Sequence, residues 1–273
     1  MTKSIWHDGK IDHLKLADVK IEAGCFGPPP GEAMTIILLH EGLGCLEMWR
    51  DFPRRLVSAT GCGVFAYSRQ GYGNSDACKL PRPIDYMERE AQEILPRLID
   101  AINIHRCVLF GHSDGGTIAG LYPSMRQDHR VRGLILVAPH FFAEECARAS
   151  IANICQSYRE GDLRQKLIRY HGTNVDCAFL GWSETWLDPR FVNWDVRDAI
   201  GFVRVPILFI QGDADPYGSV AQAEAVVAES YAPVDVQILQ SCGHAPHVER
   251  PEFTLAVVSS FIERLQRVEA TTN

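Results

Sequence analysis

The stretch Gly111-His112-Ser113-Asp114-Gly115 sets one hydroxyl between two glycines, directly after the apolar run Cys107-Val108-Leu109-Phe110 and directly before a helical pattern. This G-x-S-x-G spacing is that of a nucleophile elbow. A sharp turn from strand to helix crowds the backbone on both sides of the serine, and glycine has no Cβ to clash there. Such a turn pushes Ser113 out at the sheet edge, and the following helix aims its free N–H groups at negative charge developing beside the hydroxyl. A serine hydroxyl is a weak nucleophile at neutral pH, so the chemistry also needs a base and a group that orients the base. Gly212-Asp213-Ala214-Asp215-Pro216 offers two carboxylates, either of which could instead bracket the turn before the proline. Gly243-His244-Ala245-Pro246-His247 offers two imidazoles. Their His-x-x-His spacing also suits a metal, but no third ligand stands at an expected spacing, so no metal is expected.

These clusters stand at the ends of predicted strands. Met34 to Leu39, Val64 to Tyr67, Val131 to Val137, Val205 to Ile210 and Val234 to Leu239 are short apolar runs, read with the run before Ser113 as strands of a core. Helical patterns separate them. Leu46 to Thr60 carries Met48, Trp49, Phe52 and Leu56 on one face, with Pro53 kinking or restarting the helix. Tyr86 to Ile102 turns Ile94, Leu95, Leu98 and Ile102 toward the core, a further helix covers about Ser219 to Ser230, and Glu252 to Val268 closes the chain. Residues 14 to 26 alternate loosely, as a half-exposed edge hairpin does. Strands separated by helices imply an α/β fold with a mostly parallel sheet covered on both faces. Parallel strands bring their carboxyl ends to one rim, where residues far apart in sequence meet.

From residue 140 to 203 the pattern changes to helical stretches rich in Arg, Glu and Tyr, with Phe141, Phe142, Trp182, Trp186, Phe191 and Trp194 among them. This is too long for a simple connection. A helical cap over the crevice, inserted after the strand ending near Val137, is expected, leaving 1–139 and 204–273 as the core. An ordinary crossover helix with a surface excursion is the alternative, and the tryptophans serve either packing or substrate contact.

A chain of 273 residues with 46% hydrophobic and 22% charged residues is ordinary for a folded globular protein. Its 27 basic and 34 acidic residues give a net charge of -7, which argues against nucleic acid as a partner. Nine cysteines without a Cys-x-x-Cys pair, and an N-terminus without a signal-like apolar segment, point to the reducing cytoplasm. Apolar runs are too short to span a bilayer. The expected partner is a small, partly apolar molecule, with self-association into a homo-oligomer left open.

With Ser113, the paired aspartates and His244 in that chain order, the sequence resembles the α/β-hydrolase fold superfamily from about residue 30 to 268. The resemblance implies an α/β-hydrolase fold, with Ser113 as nucleophile, Asp215 rather than Asp213 as the acid of the family's G-x-x-D, and His244 rather than His247 as the base. His40-Glu41-Gly42-Leu43-Gly44 resembles the family's oxyanion loop, with Glu41 where a glycine is usual. The oxyanion would then lie between the N–H of Asp114 and that of Gly42 or Leu43. Arg69-Gln70-Gly71-Tyr72-Gly73-Asn74-Ser75 resembles a scaffold loop of the family, and structural hydrogen bonds are expected of His40 and His112. Glu41 is either a solvated loop charge or part of the pocket wall. The activity implied is that of a serine hydrolase acting on a small carboxylic ester, thioester, lactone or amide without a cofactor. A carbon–carbon bond hydrolase or cofactor-free haloperoxidase on the same fold is the first alternative. A ligand receptor that retains the triad is the second.

Overall fold

The apolar runs become one eight-stranded sheet in the computed structural model, which describes residues 6–272. In chain order the elements are β1 (Ile11–Leu16), β2 (Val19–Phe26), β3 (Thr35–Leu39), α1 (Phe52–Thr60), β4 (Gly63–Tyr67), α2 (Tyr86–Arg89), α3 (Leu95–Ala101), β5 (Cys107–His112) and α4 (Asp114–Met125). They continue with β6 (Val131–Val137), α5 (Glu145–Glu160), α6 (Leu163–His171), α7 (Val175–Leu187), β7 (Ile207–Gly212), α8 (Ala221–Glu229), β8 (Val234–Leu239), α9 (Pro246–Glu249) and α10 (Pro251–Thr272). The strands lie in the order β1-β2-β4-β3-β5-β6-β7-β8. β2 runs antiparallel to both β1 and β4, and every pairing from β4 through β8 is parallel.

Central strands are buried on both faces, so alternate side chains enter two different cores. Ile37, Leu39, Phe65, Tyr67, Leu109, Leu134 and Phe209 point to the side covered by α3, α4 and α8. Ile36, Leu38, Val64, Val108, Phe110, Ile135 and Leu208 point to the side where Leu56 of α1 and Val258, Phe261, Ile262 and Leu265 of α10 pack.

Three local expectations are refined. Leu46 to Thr60 is two pieces, a 3-10 turn at Leu46–Trp49 and then α1, because Arg50 takes a positive φ of 52° and Pro53 starts the second helix. Tyr86 to Ile102 carries a π-type turn at Glu90–Ile94 between α2 and α3, one turn ahead of Pro96, whose missing N–H cannot continue the ladder. The opening hairpin is half-exposed only in β1; Ile21–Phe26 of β2 is buried because β2 pairs with β4 on its other side.

The segment between β6 and β7 is helical: α5, α6 and α7, then 3-10 turns at Pro189–Asn193 and Arg197–Phe202. Aromatic rings hold it together, Tyr158 stacking on Phe179 at 3.6 Å between centroids and Phe191 on Trp194 at 4.9 Å. Polar contacts fix it to the sheet's loops. Asn174 donates to Ser75 O at 2.6 Å, and His171 accepts from Gly73 N at 3.0 Å while its Nε2 donates to Leu43 O at 2.9 Å. Among the described residues no helix is long and apolar enough to cross a membrane.

Candidate active site

Ser113 sits between β5 and α4 with φ 53° and ψ -120°, a backbone conformation that non-glycine residues rarely hold. The flanking glycines make that turn sterically open. A Cβ on Gly111 would lie 2.0 Å from Gly115 O, and one on Gly115 would lie 2.1 Å from Leu39 O. Backbone hydrogen bonds hold the turn from both sides, Ser113 N to Val137 O at 2.8 Å and Gly116 N to Ser113 O at 2.8 Å.

His244 follows β8, and Asp215 follows β7. Their side chains meet, with His244 Nδ1 donating to Asp215 Oδ2 at 2.7 Å. Asp215 also accepts from Gln211 Nε2 at 2.8 Å and from Tyr217 N at 2.8 Å. Burial works against its charge, yet the hydrogen bond and charge of His244 hold its carboxyl below the usual carboxylate range. Asp213 does a different job, accepting from Ser241 N at 2.7 Å and so tying the end of β7 to the loop after β8. His244 is fixed from behind. Glu249 accepts from the N–H groups of Gly243 at 2.7 Å and Ala245 at 3.2 Å, and His112 Nε2 donates to His244 O at 2.8 Å. His247 lies in an aromatic nest, its ring 5.1 Å from that of Trp49 and 4.6 Å from that of His112, and burial pushes its imidazole well below its ordinary value. Among the described residues no group of three or more His, Cys, Asp or Glu is placed to hold a metal ion.

The loop after β3 is braced by Arg69, which is fully buried. Its guanidinium donates to His40 O and, at 2.9 Å, to Glu41 O, while Arg69 N donates to His40 Nε2 at 3.0 Å. In a trans peptide the C=O and the next N–H point opposite ways, so holding Glu41 O turns Gly42 N–H to the other side. No hydrogen bond among the described residues is donated by the N–H of Gly42 or Leu43. The first N–H of α4, that of Asp114, lacks an intrahelical acceptor by the geometry of a helix start. The Asp114 carboxylate accepts from the Tyr86 hydroxyl and lies 3.9 Å from Arg69. Burial drives its pKa up, against the pull of Arg69.

A cavity of about 240 Å³ opens over these groups, lined among others by Gly42, Ser113, His140, Trp182, Trp186 and His244. Glu41 belongs to its wall as well. Burial opposes its charge, but His112, whose Nδ1 is 3.6 Å away, holds the carboxyl well below its usual range. The structure therefore brings Ser113, Asp114, Gly42, Leu43 and His244 to one cavity, with Asp215 bonded behind His244. Sequence reasoning passed over His140 and Tyr217. His140 is buried, its Nδ1 has no partner, and burial holds its imidazole down to about 3. The Tyr217 ring lies 4.7 Å from that of His244. Their signal was position, since His140 stands three residues after the end of β6 and Tyr217 directly follows the Asp213-Ala214-Asp215-Pro216 cluster.

The model of the alpha/beta hydrolase family matches residues 36–257, and the chain belongs to that family. Among curated relatives, it is 25% identical over 294 residues to Epoxide hydrolase 3 of Xenopus tropicalis, covering 93% of this chain and 78% of that one. It is 22% identical to the sn-1-specific diacylglycerol lipase ABHD11 of Danio rerio, covering 86% and 80%. Among solved structures, an esterase from Exiguobacterium antarcticum superposes with a TM-score of 0.73 at 18% identity, covering 92% of this chain and 98% of that one. The enol-lactonase from Burkholderia xenovorans LB400 does so with a TM-score of 0.68 at 19% identity, covering 92% and 100%. At such identities these structures establish the fold.

Proposed function

We propose that this hydrolase cleaves a small carboxylic ester, thioester, lactone or amide through an acyl-serine intermediate. The observation that carries the reading is the 2.7 Å hydrogen bond between His244 and buried Asp215, set in the wall of the cavity that also receives Ser113. With Nδ1–H committed to Asp215, the other ring nitrogen of His244 is the unprotonated one and is free to accept the Ser113 proton during attack on the carbonyl. His244 then returns that proton to the leaving group, and water repeats the sequence to release the acid. Asp215 fixes the tautomer and stabilises the imidazolium. The Asp114 N–H and the Gly42 or Leu43 N–H receive the oxyanion, each such donor contributing about 3 kcal/mol of transition-state stabilisation. Among the described residues no hydrogen bond joins Ser113 Oγ to His244; in ligand-free sites this contact often tightens only when substrate is bound.

Residues 140–203 act as a cap in this reading, and 1–139 with 204–273 as the catalytic core. Ala147, Ile151, Trp182 and Trp186 line the cavity from the cap side, which supports a partly apolar substrate. A fluorophosphonate probe tests the nucleophile: one adduct at Ser113 is expected in the folded protein and none in Ser113→Ala. Folded protein that stays unlabelled overturns the assignment.

A further inference from the structure

We propose that Cys78 and Cys177 form a thiol–disulfide exchange site that reacts with disulfides of the glutathione class and reversibly bridges the loop after β4 to α7. The inference is independent of the reaction assigned to Ser113. The two sulfurs lie 2.9 Å apart, although 99 positions separate them in sequence. Both are partly exposed, whereas Cys25, Cys45, Cys62, Cys107 and Cys242 are buried in the core. Their meeting point is built by Gly71: a Cβ there, at φ +87°, would stand 2.7 Å from Cys78 Sγ, 2.8 Å from Cys177 Sγ and 2.6 Å from an Arg82 nitrogen. Any side chain at 71 would have to displace at least one of these three groups. Arg82 is itself held, its guanidinium donating to Gln70 O at 2.9 Å and lying over the Tyr72 ring at 4.7 Å, so a positive charge stands fixed beside the pair. A hydrogen bond in which either thiol can be the donor links the two sulfurs, and Cys177 Sγ also donates to Cys78 O at 3.4 Å; with help from Arg82 and against the effect of burial, these contacts hold the Cys177 thiol below its ordinary range, while the bond between the sulfurs pushes Cys78 up. The fixed charge of Arg82 favours a thiolate in the pair, so either sulfur, Cys177 in the steps that follow, can attack first while the other resolves.

The exchange balances. The Cys177 thiolate attacks one sulfur of oxidised glutathione, forming a mixed disulfide and releasing one glutathione thiolate, which takes up the proton that Cys177 gave to solvent. Cys78 then loses its proton and attacks the Cys177 sulfur, closing the protein disulfide and releasing the second glutathione thiol. Two protein thiols are oxidised and one glutathione disulfide is reduced to two thiols.

The test incubates the full-length protein with oxidised glutathione, blocks remaining thiols by alkylation, and maps peptides by mass spectrometry. A linked Cys78–Cys177 peptide is expected, with loss of two alkylation sites and of two hydrogen atoms in mass, reversed by excess reduced glutathione. Cys146→Ser should still form the link. Cys78→Ser should stop at the mixed disulfide on Cys177. A wild-type protein that stops at that mixed disulfide, or that reacts at exposed Cys146 and leaves Cys78 and Cys177 to the alkylating reagent, overturns the proposal; both readouts need only the wild-type chain.

Discussion

At the scale of single residues, the two aspartates after β7 show how context divides identical side chains. Asp215 is buried and bonded to His244, while Asp213 reaches the backbone of Ser241. Asp215→Asn keeps the shape but favours the wrong imidazole tautomer, so kcat should fall by about 10⁴-fold. Asp213→Asn should leave kcat within a few-fold, and steady-state kinetics on an activated ester compares the two; equal losses would reassign the acid. The residues that sequence could single out were those whose order and spacing place them directly after predicted strands: Ser113 between glycines, and His244 after Gly243. His140 was not legible as a site residue, and the two readings of Glu41 stayed open, because their place in the cavity depends on packing between segments more than 70 positions apart, as between His140 and Gly218.

At the scale of elements, the turn at Ser113 is tight because α4 approaches β5 at Gly111 and the end of β3 at Gly115 more closely than a side chain at either position would allow. Gly115→Ala places a methyl 2.1 Å from the carbonyl oxygen of Leu39, and backbone on both sides has nowhere to go. The substitution should cost about 3 kcal/mol or more in a urea denaturation series, and an unchanged midpoint would show that the strand–helix contact yields. The strands themselves were readable, since Val131 to Val137 and Val234 to Leu239 coincide with β6 and β8. What composition along the chain does not reveal is lateral pairing. β2 carries the loose alternation of an edge strand, yet β4, about 40 positions onward, covers its second half. The π-type turn before Pro96 is likewise a response to a proline placed inside an otherwise regular helical period.

At the scale of the whole molecule, stability and chemistry rest on different ends of the sheet. Near the amino end of β6, Asp128 accepts from Arg130 Nε at 2.9 Å, from Arg130 Nη2 at 2.7 Å and from the Tyr122 hydroxyl at 2.6 Å, while Arg130 reaches on to Asp100 at 2.6 Å. Burial opposes the charge on Asp128, but Arg130 and Tyr122 hold its carboxyl well below the usual range. A carboxyl depressed in the folded state stabilises the fold fully above its unfolded value of about 3.9, and loses that contribution as pH falls through the lower folded value. Asp128→Asn should therefore cost about 2 kcal/mol near neutrality, with the gap to the wild type narrowing as the pH drops below about 4. Chemical denaturation at stepped pH measures both, and a gap that stays constant would remove the carboxylate as its source. The site lies at the opposite rim, where Gly42 faces the helical segment between β6 and β7: a Cβ on Gly42 would fall 2.1 Å from the indole nitrogen of Trp182. With the hydrogen bond from His171 to Leu43 O, that close approach fits the helical segment and the loop after β3 together as a lock and its key. A helical segment exchanged into this position from another family member fits only if the residue that meets position 42 leaves the same depth, so neither segment can be exchanged without regard to the other.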